Sequence, residues 1–134
     1  MKSLITEINP QFHDCDPMNV VWHGNYVKYL EVARCELLES LNYNYDEMLK
    51  QGHAWPVVDI RIKYSRPIHF KQRILIEAKI IEWEYRLKIS YEIRDAATGE
   101  RLCKATTTQM VVELATQTTC FEVPEVFKQR LGVE

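Results

Sequence analysis

The residues able to do chemistry in this chain are crowded into one short stretch, Phe12-His13-Asp14-Cys15-Asp16-Pro17-Met18-Asn19-Val20-Val21-Trp22-His23-Gly24-Asn25-Tyr26. A carboxylate there can act as a nucleophile or as a general base. The stretch runs straight into the strongest helical signal in the sequence, and a helix start offers free backbone N–H groups and a positive dipole end. Such a place suits an anion or a developing oxyanion. Each residue also has an ordinary reading. An aspartate just before a helix is commonly a cap or turn residue, which applies to Asp14 and Asp16 alike. His13 and His23 can be plain polar residues. Cys15 as a nucleophile needs a base that one sequence does not assign. A metal held by His13, Asp14, Asp16 and His23 has no recognised ligand spacing, so no metal is expected. A nucleophile elbow, a P-loop and a dinucleotide fingerprint are all absent. The residues alone therefore reach as far as an anion or oxyanion site at the start of the long helix.

The elements that must position this stretch follow from periodicity. Residues 3 to 12 read as a first strand anchored by Ile5, Ile8 and Phe12, with Pro10 marking an edge. Tyr26, Leu30, Ala33, Leu37 and Leu41 recur at steps of three and four and predict a helix over about 23 to 42. Asn42 and Asn44 fit its C-terminal end, and a short helical turn from Asp46 to Lys50 stops at Gly52. The period then becomes two. Val58, Ile60, Ile62 and Tyr64 predict a half-buried strand, followed by strands over 73 to 84 and from Leu87 to Ile93. Asp95 to Glu100 form a hairpin turn, residues 101 to 114 a long return strand, and Pro124 to Leu131 a short helix. The order predicts an α+β chain, a sheet wrapped around one helix, with a single domain over 1–134.

Bulk properties narrow the function classes. The formal net charge of -2 gives no global field for nucleic acid or an anionic membrane. The first residues carry no signal-peptide core and no segment is apolar enough to span a bilayer, so a cytoplasmic location and no membrane insertion are expected. Cys15, Cys35, Cys103 and Cys120 form no C-x-x-C pair and are expected as free thiols, Cys35 and Cys103 as small buried residues.

The motif Asp14-Cys15-Asp16-Pro17 followed by Val20-Val21-Trp22-His23-Gly24-Asn25-Tyr26 resembles the signature of the 4-hydroxybenzoyl-CoA thioesterase family of hotdog-fold enzymes. It is also similar to their Tol–Pal-associated acyl-CoA thioesterase relatives. Tyr29, Glu31, Ala33 and Arg34 continue the family pattern Y-x-E-x-A-R, and Val58 to Pro67 is similar to its strand ending in Y-x-x-P. The likeness extends over roughly 5 to 130. It implies a hotdog fold and hydrolysis of an acyl-CoA thioester, with no cofactor, coenzyme A being part of the substrate. Asp16 corresponds to the family's catalytic carboxylate, as nucleophile or as general base. The backbone N–H of His23 corresponds to the group that polarises the carbonyl, and the His23 side chain to a substrate-orienting or proton-transferring residue. Trp22, Tyr26, Asn19 and Arg66 are the residues expected to meet substrate. Met18-Asn19 replaces a turn that usually contains Gly, and Asn tolerates the left-handed conformation that turn needs. The resemblance also implies a homo-oligomer, dimer or tetramer, with sites at subunit interfaces. An acyl-carrier-protein substrate from lipid or polyene synthesis, and a non-catalytic acyl-CoA-binding module, are the alternatives.

Overall fold

The computed structural model describes residues 2–132, so the ends of the expected 1–134 domain, 1 and 133–134, lie outside the described residues. Chain order is β1 (Ser3–Ile8), a 3-10 turn (Phe12–Asp14), α1 (Asn25–Ser40), α2 (Tyr45–Lys50), β2 (His53–Ala54), β3 (Val57–Tyr64), β4 (Ile74–Glu82), β5 (Leu87–Asp95), β6 (Arg101–Gln109), β7 (Val112–Glu113), β8 (Thr118–Thr119) and α3 (Glu125–Leu131). The five long strands form one antiparallel sheet in the order β1-β4-β5-β6-β3. A second small sheet has the order β2-β7-β8.

Alternation along each strand decides what α1 touches. One cross-strand row runs Leu4, Ala78, Tyr91, Ala105, Ile62, and its central members are buried. The neighbouring row runs Ile5, Glu77, Glu92, Lys104, Lys63 and faces away from the core. The apolar stripe of α1 is buried in full at Tyr26, Leu30, Ala33, Leu37 and Leu41. Buried Arg34 also leaves α1, donating to the Tyr45 hydroxyl at 2.9 Å and pairing with Glu31. It ties the long helix to α2. Beyond the C-terminal end of α1, Tyr43, Trp55 and Phe127 pack ring against ring, with centroids 5.1 to 5.9 Å apart, and anchor α3.

Four expectations need correction. The first strand ends at Ile8; Ile5 and Phe12 are exposed, while Ile8 packs against the core as expected and is joined there by Leu4. Pro10 has no N–H to extend the ladder, and the Gln11 amide turns to the Asp14 carboxylate at 3.0 Å. The return strand stops at Gln109, where its partner Val57 follows Pro56; the chain then turns, Met110 N–H donating to Pro56, into the second sheet. Cys35 is exposed, while Cys103 is buried as expected. Finally, β3 carries its apolar residues at an uncovered edge, with Val58, Ile60 and Tyr64 all exposed. α1 is too narrow to cover a fifth strand. Leu37, which is fully buried, tests the packing of helix on sheet. Leu37→Ala is expected to lower stability by about 2–5 kcal/mol, read by urea unfolding.

Candidate active site

The two aspartates of the loop occupy opposite environments. Asp14 is 2% exposed. Its carboxylate accepts from the Tyr29 hydroxyl at 2.7 Å and the Gln11 amide at 3.0 Å, and it pairs with Lys28. Its carbonyl accepts from the Asn25 side chain at 2.8 Å and the Trp22 amide at 2.9 Å. Asn25, Lys28 and Tyr29 are spaced three and four apart, so a single face of the first turn of α1 grips this residue. Burial by itself pushes the Asp14 carboxyl up, but Lys28, the Gln11 amide and Tyr29 together outweigh it and hold the group down at about 2. Asp14 is thus a structural anchor.

Asp16 lies two residues on and is half-buried. A tight turn holds it. The Asp16 amide donates to Val20 at 2.9 Å and the Asn19 amide returns to the Asp16 carbonyl at 2.9 Å. Asn19 takes the left-handed conformation the turn requires, with φ 64. Isolated bridges Cys15–Val21 and Val20–His69 stitch the loop to the chain beside it. One carboxylate oxygen, Oδ1, accepts from the Met18 amide at 2.8 Å. The other accepts no hydrogen bond among the described residues. Asp16 lines an apolar recess of about 460 Å³ with Phe12, His13, Cys15, Pro17 and Asn19. Cys15 sits between the two aspartates; burial first, then both carboxylates, pushes its thiol up, which disfavours a thiolate nucleophile.

The approach to α1 supplies the second half of the site. Gly24 occupies the N-cap and no side chain caps the helix. Among the described residues, the backbone N–H groups of His23 and Gly24 have no acceptor, while those of Asn25 and Tyr26 are used in turn bonds. The His23 carbonyl is held by the Tyr64 hydroxyl at 3.1 Å, which links the helix start to the end of β3. Trp22 is half-exposed and folds back over Gly24; a Cβ at position 24 would overlap its indole ring. Its ring lies 5.1 Å from that of His23.

The expected site residues are thus distributed unevenly. Asp16 and Asn19 share the recess, and His23 and Trp22 form the adjoining helix entry. Tyr26 is buried with its ring 4.7 Å from Tyr64 and its phenol pushed up to about 12, chiefly by burial, so within this chain it packs rather than presents a surface. Arg66 is exposed just beyond the Tyr64 end of β3 and pairs with Glu100 at 3.3 Å. Two features were missed. Phe12 lines the recess, with Phe70 edge-on to it at 5.7 Å. Lys28 and Tyr29 hold Asp14, and their spacing from Asn25 at the start of an otherwise apolar helix face was the available signal.

A family model described as the thioesterase-like superfamily matches residues 10–131. The chain belongs to the thioesterase-like superfamily. YneP of Bacillus subtilis, described as a candidate acyl-CoA thioesterase, is 33% identical over 108 residues, covering 80% of this chain and 78% of that one. Acyl-CoA thioesterase YbgC of Haemophilus influenzae is 28% identical over 104 residues, covering 77% of this chain and 76% of its own. The crystal structure of Slr0204, a 1,4-dihydroxy-2-naphthoyl-CoA thioesterase from Synechocystis, superposes with a TM-score of 0.88 at 21% identity, over 98% of this chain and 96% of that one. The sheet wrapped on α1 is therefore a hotdog fold, and the enzyme is a thioester hydrolase. No helix among the described residues of this thioesterase is long and apolar enough to cross a membrane.

The Asp14 anchor gives a pH signature. Its folded value of about 2 lies below its ordinary 3.8, so it stabilises the enzyme above the ordinary value and that contribution disappears as pH falls toward 2. Asp14→Asn is expected to cost about 2 kcal/mol near neutral pH. The gap between the two proteins should close on acidification, followed by urea unfolding across the pH range.

Proposed function

We propose that the chain hydrolyses acyl-CoA thioesters in the cytoplasm, with Asp16 as the attacking or base-supplying carboxylate. One observation carries this reading. Asp16 is the loop carboxylate with an unengaged oxygen, and it borders an apolar recess beside a helix start whose His23 and Gly24 N–H groups lack acceptors. The acyl group enters the recess between Phe12 and Asn19. The carbonyl oxygen sits on the His23 and Gly24 amides, where the α1 dipole favours developing negative charge. Asp16 then acts in one of two ways. It adds to the carbonyl carbon, the C–S bond breaks, and water hydrolyses the resulting mixed anhydride. Alternatively it takes a proton from the water that adds, and the same C–S bond breaks. In both, the thiolate leaves and is protonated. The Met18 amide on Oδ1 orients the carboxylate and leaves Oδ2 without a hydrogen-bond donor among the described residues. His23, exposed beside Trp22, orients the thioester, and Arg66 is available to a coenzyme A phosphate once released from Glu100.

The uncovered apolar edge of β3 supports a homodimer in which two β3 edges join, with tetramers built from such pairs. An acyl-carrier-protein substrate is the second reading; it is favoured by the likeness, 27% identical over 74 residues, to an acyl-acyl carrier protein thioesterase of Arabidopsis thaliana. Rates on matched acyl-CoA and acyl-carrier substrates separate the two.

Asp16→Asn is expected to lower kcat by about 10²–10⁴-fold with an unchanged melting temperature. The check is thiol release across aromatic, short-chain and long-chain acyl-CoAs, and near-normal turnover by the variant would defeat the assignment. In single-turnover hydrolysis in labelled water, label in Asp16 marks the anhydride route with water adding at the aspartyl carbonyl, since the general-base route puts label only into the acid product. Ile60→Asp is expected to yield monomers with most activity lost, measured by sedimentation and turnover on the same sample.

A further inference from the structure

A second group of chemically capable side chains lies at the opposite end of β3 from Tyr64. His53 and Glu113 face each other directly in the β2–β7 ladder. Cys120 follows β8, its amide donating to Val111 at 2.8 Å. One potential donor atom from each of these three residues lies within 4.8 Å of the others, and all three are partly buried. They offer an imidazole nitrogen, a carboxylate oxygen and a thiol sulfur. That mixture suits a borderline-soft divalent ion, Zn²⁺ foremost.

Two details reach beyond proximity. His53 Nε2 is 3.6 Å from Glu113 Oε2. This is too long for a hydrogen bond. It is close to the span of two donors on one ion, since bonds of about 2.0–2.2 Å at a tetrahedral angle separate the donors by about 3.4 Å. In addition, His53 Nδ1 is buried with no partner, so neither ring nitrogen makes a hydrogen bond among the described residues. Buried imidazoles ordinarily have partners. Ligation through Nε2, the nitrogen that faces Glu113, gives the ring a partner on that side.

We propose that His53, Glu113 and Cys120 bind one Zn²⁺, with water as the fourth ligand. Binding forms the zinc–sulfur bond as the Cys120 thiol releases its proton to solvent. The ion then joins β2, β7 and the segment after β8, where each ladder is only two residues long. β3 spans about 23 Å, and Tyr64, at its other end, meets His23. Within one chain the ion is therefore a staple for the small sheet and takes no part in attack on the thioester.

The test uses the full chain, stripped with a chelator near neutral pH. Zn²⁺ affinity and stoichiometry are read by competition with a chromophoric indicator, Co²⁺ serves as a spectroscopic probe, and thermal unfolding is followed with and without Zn²⁺. The expected result is one ion per chain, a raised melting temperature, and a cobalt–thiolate charge-transfer band. Cys120→Ser should remove the band, and it, His53→Gln and Glu113→Gln should each weaken Zn²⁺ binding at least about tenfold. Should Cys120→Ser fail to fold, Cys15→Ser and Cys35→Ser serve instead, and the band must survive in both. Absence of the band from the unaltered protein, its loss in Cys15→Ser or Cys35→Ser, or equal Zn²⁺ affinity in a folded Cys120→Ser protein would overturn the proposal.

Discussion

The contact on which the site depends is the buried carboxylate of Asp14. Three side chains of the first turn of α1 converge on this one residue, two on its carboxylate and one on its carbonyl. A loop of this length has many conformations, and its ordering costs about 1–2 kcal/mol per residue. Charge-assisted bonds in a buried setting are strong enough to offset part of that cost. With Asp14 fixed, the loop leaves the helix face at a set angle. Asp16 then lands in a turn whose geometry Asn19 completes with its positive φ. The helix start and the loop are therefore tied together, which is what the proposed preorganised carboxylate requires.

The contrast between the two aspartates shows how environment divides labour between identical side chains. Asp14 spends both oxygens on protein donors. Asp16, which lines the recess, spends one on the Met18 amide and leaves the other without a donor among the described residues. An acid that is fully satisfied can hold structure but has no lone pair aimed at a substrate. An acid with a single internal donor is oriented without being consumed. Cys15 separates them and is made less reactive by burial first and then by both charges, which disfavours a thiolate in the middle of the loop.

Much of this was legible in the chain itself. The long helix could be read because five apolar residues keep a period near 3.6, and all five are buried. The strands could be read because period two is hard to mimic. The boundaries were harder. Pro56 and Pro10 stop ladders from the neighbouring strand or from just beyond the strand end, and a periodicity window does not register a missing N–H. Asp16 was reached through the resemblance, since composition alone treats it like Asp14. What tells the two apart is a set of partners eleven to fifteen residues away on the helix. That pairing is a tertiary fact. The exposure of Val58, Ile60 and Tyr64 belongs to the same class: alternation says that one face of β3 wants cover, but not that α1 falls short of it.

That shortfall has a consequence for the shape of the whole domain. Tyr64 lies at the uncovered edge yet also holds the His23 carbonyl at the helix start. The same side chain therefore faces the apolar edge and braces the group proposed to receive the thioester oxygen. Whatever covers β3 also restricts Tyr64, because a phenol with its ring against Tyr26 and its hydroxyl on a backbone carbonyl has little freedom once its outer face is packed. Burying the apolar edge and tightening the helix entry are thus a single event. In the proposed dimer this would couple assembly to catalysis through one residue rather than through a long chain of contacts. On the proposed assembly, a strand of Val, Ile and Tyr left uncovered in one chain would have a physical reason: covering the edge would stiffen the proposed site.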